Sequence, residues 1–230
     1  MGTQTVRDVL SRYSYYYRRL NADNRDRFEH RLAELLLHLQ FTANGSEDVP
    51  LPMKIVIGSA QIQLTLGLEQ YLPVNYDQII VMRSAYRVPE YDKQLAGHVD
   101  PNHSTIYLSW QHVRHGFLIH DDATNVALHE FAHWLDLENK ILEHEYLCQV
   151  EYSQWRQHAH KKLLKVRKRE NSFLKNYSGT NMLEMFAVSV EAFFEQSQLF
   201  QEKIPELYQS LAELLNQDPT NGADPLTTQV

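Results

Sequence analysis

The sequence predicts an α+β fold, mainly helical, with a small mixed sheet next to one strongly periodic helix. Three observations carry this. Apolar residues recur at helical spacing towards both ends of the chain, while short β-branched segments, QIIVMR and TIYLSW, lie in the middle. The composition, 43% hydrophobic and 22% charged over 230 residues, is that of a globular domain with a packed core. Residues 1–216 are expected to form that single domain, with 1–45 as its helical N-terminal part.

Two helices are expected between Val6 and Leu39. One stripe is Val9, Leu10, Tyr13, Tyr16 and Tyr17, the other Phe28, Leu32, Leu35, Leu36 and Leu39, with Asn21 and Asp23 as caps between them. Tyrosines 13 to 17 would suit base stacking, but their helical spacing reads as core and rim. A short strand, Gln40 to Thr42, ends at the Asn44-Gly45 turn, and Pro50 and Pro52 fit the first turn of a helix reaching about Leu68. Strands follow at Gln78 to Arg83, Ala85 to Val88 and Thr105 to Trp110, with Asp100-Pro101-Asn102 turning the chain before the last. Helices are expected over Asp121 to Asn139, Tyr146 to Arg169, Asn181 to Gln196 and Ile204 to Asn216. Residues 217–230, QDPTNGADPLTTQV, have turn-forming composition without periodicity and are expected to form a flexible tail, which would restrain activity if it folded across a cleft.

Charge and targeting signals narrow the partners. With 29 acidic and 22 basic residues the net charge is −7, which argues against a surface built to neutralise phosphate, so nucleic acid is not an expected partner. The basic run from Lys161 to Arg169 is broken by Leu163, Leu164 and Val166, as on a solvated amphipathic helix face. No apolar signal core opens the chain and no window approaches the roughly 18 apolar residues of a membrane span. Met1-Gly2 is followed by Val6 where a myristoylation signal requires Ser or Thr. One cysteine, Cys148, cannot form an internal disulfide; a cytoplasmic protein with a buried or partly buried thiol is expected.

The sharpest signal is VALHEFAHWLD, which sets His129, Glu130 and His133 in an H-E-x-x-H arrangement on the periodic helix. Residues four apart on a helix lie one above the other, so both imidazoles can reach one ion while Glu130 sits beside its open position. A chance match at this composition is expected only about 0.05 times. A catalytic zinc site needs a third protein ligand. Trp134 to Asn139 supply no histidine at metzincin spacing, whereas NMLEMFAVSVEAFFEQ carries Glu184 and Glu191 on one face of an apolar helix. A buried carboxylate there needs an ion or a proton donor as partner. Asp136 and Glu191 are the rival acids for orienting an imidazole. His112, His115, His120, His158 and His160 have no second motif beside them.

HEFAHWLD followed by YSGTNMLEMFAVSVEAFF resembles the Mlc titration factor A family of zinc peptidases, gluzincins related to the anthrax lethal factor catalytic domain. The likeness continues through LTLGLEQYLPVNYDQIIVMRSAYRV and STIYLSW, over about residues 50 to 215. It implies a zincin-like fold, one Zn2+ bound by His129, His133 and Glu184, Glu130 as general base, and Tyr177 assisting catalysis. It also implies an edge strand, TIYLSW, that pairs with extended substrate. The implied activity is hydrolysis of a peptide or protein substrate, aminopeptidase action included. A regulatory protein that sequesters a transcriptional regulator with little turnover is the alternative, and zinc-assisted cleavage of another amide is a third.

Overall fold

The computed structural model describes residues 3–44, 47–89, 92–143, 145–167, 173–174 and 180–221. Their architecture is mixed α+β, with most of the chain in helices around one four-stranded sheet.

Three helices, not two, precede the first strand: α1 (Thr3–Tyr13), α2 (Tyr15–Arg19) and α3 (Ala22–His38). The break falls at Ser14, whose hydroxyl accepts the Tyr17 N–H at 3.1 Å and so competes with continuation of the helix. Asn21 caps α3 by accepting the Asn24 N–H at 2.9 Å. Tyr16 and Tyr17 are core residues, while Tyr15 is at the rim. After β1 (Gln40–Ala43), Asn44 turns the chain at φ 48°; Gly45 lies outside the described residues. Next, α4 (Leu51–Thr65) is buried on almost every side from Ile55 onwards.

The sheet contains β1, β2 (Gln78–Met82), β3 (Gly97–Asp100) and β4 (Thr105–Ser109) in the order β1-β2-β4-β3. β1, β2 and β4 are parallel, and β3 runs antiparallel to β4. The register aligns Phe41, Ile79, Ile106 and Val99 in one row and Ala43, Val81, Leu108 and Gly97 in another, which gives the sheet an apolar face. Three sequence expectations are corrected here. Ala85 to Val88 makes only an isolated bridge, Tyr86 to Leu95, because Pro89 has no N–H to extend a ladder. TIYLSW is an internal strand with neighbours on both sides, so its backbone has no free edge for substrate; β3 is the outer strand on that side of the sheet, and β1 on the other. Trp110 does not end that strand but starts α5 (Trp110–Leu118).

The remaining helices are α6 (Val126–Ile141), α7 (Gln149–Arg167), α8 (Met182–Glu195), α9 (Ser197–Lys203) and α10 (Pro205–Leu215). Helix α6 packs between α4 and α8 and also touches β3 and β4, so it lies at the junction of helices and sheet. Its Leu128, Phe131, Trp134 and Leu135 are fully buried, and each side chain removed from water contributes about 1.5–3 kcal/mol. On α7, Lys162 is buried rather than solvated, and the side chains of the basic run from Lys165 on lie outside the described residues. Cys148 is exposed, contrary to expectation. Among the described residues no helix is long and apolar enough to cross a membrane.

The expected tail does not begin at Gln217. That residue is fully buried, accepts the Tyr16 hydroxyl at 2.6 Å and donates to the Gln63 and Leu64 carbonyls at 3.2 and 3.0 Å. Pro219–Asn221 is a 3-10 turn, and residues 222–230 lie outside the described set.

Glu138, fully buried near the end of α6, clasps the segment before β2. Its Oε1 accepts the N–H groups of Val74, Asn75 and Tyr76 at 3.1, 2.7 and 3.0 Å, and its Oε2 accepts Asn75 Nδ2 at 2.8 Å. Glu138→Ala strands these donors together and should cost about 3 kcal/mol or more, read as a lower urea midpoint at unchanged m-value.

Candidate metal centre

Helices α6 and α8 bring the sequence-predicted ligands together. Asn125 caps α6, its Oδ1 accepting the Leu128 N–H at 3.2 Å, and the next turn carries His129 and His133 on one face. Asn181 caps α8 by accepting the Glu184 N–H at 2.9 Å. An acid three residues after the cap commonly folds back on the cap N–H. Here the Glu184 carboxylate instead faces both histidines: Oε2 lies 3.4 Å from His129 Nε2, and Oε1 lies 3.5 Å from His133 Nε2. The two rings stand edge to face, 86° apart in plane, with centroids 4.6 Å apart.

These spacings are long for hydrogen bonds but suit shared coordination. Two ligand atoms about 2.0–2.1 Å from a tetrahedral centre stand roughly 3.3–3.4 Å from each other. Among the described residues, His129, His133 and Glu184 are the one group of three or more His, Cys, Asp or Glu side chains whose ligand atoms all lie within 4.8 Å of one another. Two imidazole nitrogens and a carboxylate fit a divalent ion of the zinc type.

Electrostatics agree with a cage for positive charge. Burial opposes charge on His129, but Glu184 and Glu191 outweigh it and hold the imidazole up to about 10. Burial would raise Glu184, but the two histidines overcome it and keep its carboxyl well below the usual range. A divalent cation satisfies the same carboxylates while leaving the imidazoles neutral.

Beside the cage, Glu130 is buried, and its Oε2 has no hydrogen-bond partner among the described residues. Burial raises its pKa, with the nearby histidines pulling the other way and Glu184 and Glu191 adding to the rise. Glu191, not Asp136, orients an imidazole. Its Oε2 accepts from His129 Nδ1 at 3.2 Å while its Oε1 accepts the Asn125 N–H at 2.8 Å. Asp136 accepts hydrogen bonds from Lys140 and from the Tyr152 hydroxyl instead. Tyr177 lies outside the described residues. His112 contacts Ser109, His120 stacks on Tyr15, and His158 approaches Glu206, so none of these joins the cage.

Glu195 and Gly97 escaped the sequence reading. Glu195 continues the carboxylate face of α8 one turn beyond Glu191, a spacing that could have revealed it, and accepts Asn125 Nδ2 at 3.1 Å and the Thr124 N–H at 3.0 Å. Gly97 of β3 packs directly on Glu130.

The profile of the family described as glucose-regulated metallo-peptidase M90 matches residues 2–215. An uncharacterized protein of Synechocystis sp., slr2042, is 25% identical over 213 residues, covering 85% of this chain and 78% of its own length. Proteins named Mlc titration factor A from Pectobacterium atrosepticum and Yersinia pestis are 27% and 26% identical over 122 residues. Those two matches cover 50% of this chain and 45% and 44% of the relatives, so the chain spans less than half of either.

Glu191→Gln should weaken metal binding about 10–100-fold, measured by competition with a chromophoric chelator. Burial raises Glu195 to about 8 from an ordinary 4.5, so the native chain keeps a proton that the unfolded chain has released. Stability should therefore fall as pH rises from about 4.5 to 8, and Glu195→Gln should flatten that slope in denaturation curves recorded across the interval.

Proposed function

The chain belongs to the glucose-regulated metallo-peptidase M90 family, and from that premise we propose that it is a zinc-dependent peptidase of gluzincin type with a zincin-like fold. The observation that carries this is the approach of both oxygens of Glu184 to the Nε2 atoms of His129 and His133, beside a Glu130 Oε2 that has no hydrogen-bond partner among the described residues. His129, His133 and Glu184 would hold the ion. When bound, zinc supplies a Lewis acid that acidifies water and polarises the scissile carbonyl.

The chain's own groups do the rest. Glu191 accepts the Nδ1 proton of His129, which leaves the Nε2 lone pair turned to the cage. Glu130, its basicity raised by burial, takes a proton from the attacking water at Oε2 and returns it to the leaving amine. Tyr177, by resemblance to the Mlc titration factor A family, donates a hydrogen bond to the oxygen that gains charge. An extended peptide would lie along the outer strand β3, which packs on α6 at Glu130, rather than along the internal TIYLSW. A cytoplasmic setting fits the lone, exposed Cys148.

The name of the relatives favours a second reading, in which the fold binds a protein regulator with little turnover. Glu130→Gln separates the two. Hydrolysis of a peptide library should fall about 10²-fold or more, with metal content and partner binding unchanged. Undiminished turnover in that variant would reject the mechanism.

A further inference from the structure

We infer that Gly97 is a positioning residue for Glu130, the absence of a side chain on β3 setting where the carboxylate stands. An ideal Cβ at position 97 would lie 2.7 Å from Glu130 Cγ, 2.8 Å from Glu130 Oε1 and 3.0 Å from Val126 Cγ2. The first two distances are shorter than carbon contacts allow, so a methyl group there must displace something.

The backbone does not call for glycine on its own account. Gly97 is not in the left-handed region, and it pairs with Leu108 in an ordinary antiparallel ladder. Nor can the strand retreat freely, since the Ser109 N–H bonds Ala96 O at 2.7 Å and three further residues of β3 are in register with β4. On the other side, Glu130 belongs to α6, which is locked between α4 and α8. The free degrees of motion are the χ angles of Glu130. Any β-carbon at 97 therefore swings the carboxylate away from its place beside the cage. What the glycine provides is space for one particular rotamer of the acid.

This inference deepens the reading of Glu130 as general base and rests on it for its effect on rate. Its test is a double-mutant cycle on the full chain, comparing Gly97→Ala, Glu130→Ala and the double variant by melting temperature, metal content and peptide turnover. Gly97→Ala should lower Tm by about 4 °C or more alone and by about 1 °C or less in the Glu130→Ala background. With Glu130 present, kcat should fall about 10²-fold at unchanged KM and metal content, as expected for a base displaced by about 1 Å. If Gly97→Ala fails to fold, recovery in the double variant supports the inference, and persistent misfolding overturns it. Equal Tm losses in both backgrounds, or relief by Val126→Ala instead of Glu130→Ala, also overturn it. Should the wild-type chain cleave no peptide at all, the reading of Glu130 as a base fails, while the Tm cycle still decides the packing relation.

Discussion

A histidine between two carboxylates of one helix is the constraint from which the rest of the site follows. His129 meets Glu184 through Nε2 and Glu191 through Nδ1, and the seven-residue spacing of those acids puts them on one face of α8. Buried carboxylates are tolerated only with partners, because an uncompensated charge in a core costs several kcal/mol. Each acid here has one. Glu191 divides its oxygens between the His129 ring and the N–H of Asn125, so one side chain orients a candidate ligand and anchors the start of the helix that carries it. Glu195, one turn on, also holds the start of α6, through the Thr124 N–H and Asn125 Nδ2. The two helices are thus cross-linked by polar contacts within an otherwise apolar interface.

The paired imidazoles and the two candidate acids were legible in the sequence because helical periodicity turns spacing into geometry, whereas the choice of Glu184 over Glu191 came from the family resemblance. H-E-x-x-H fixes two imidazoles on one face without reference to the rest of the fold, and a pair of acids on an apolar helix announces a need for partners. The choice between Asp136 and Glu191 was not legible. Both lie at suitable spacings, and only the packing of α7, which delivers the Tyr152 hydroxyl to Asp136, decides it. Likewise β3 could not be read. Gly97 and Asp100 are poor strand formers, and their pairing with Leu108 and Thr105 is imposed by tertiary structure. TIYLSW was recognised as a strand, but propensity says nothing about whether a strand has one neighbour or two. Ser14 was hidden in a helical stripe, yet its hydroxyl caps a new helix.

The end of the described chain shows the same limit in another form. Turn-rich composition from Gln217 onwards suggested mobility, but a single amide with the right neighbours was enough to bury the first residue of that segment. Composition reports average tendency; one side chain with three partners overrides it.

That amide has a kinetic meaning. Gln217 joins Tyr16, 201 positions earlier, to the last turn of α4, so α2, α4 and the end of α10 share one set of hydrogen bonds. Hydrogen bonds of this kind couple the opening of the segments they join. Amide protons in these three stretches would report a common opening free energy, as one cooperative unit drawn from distant parts of the described chain.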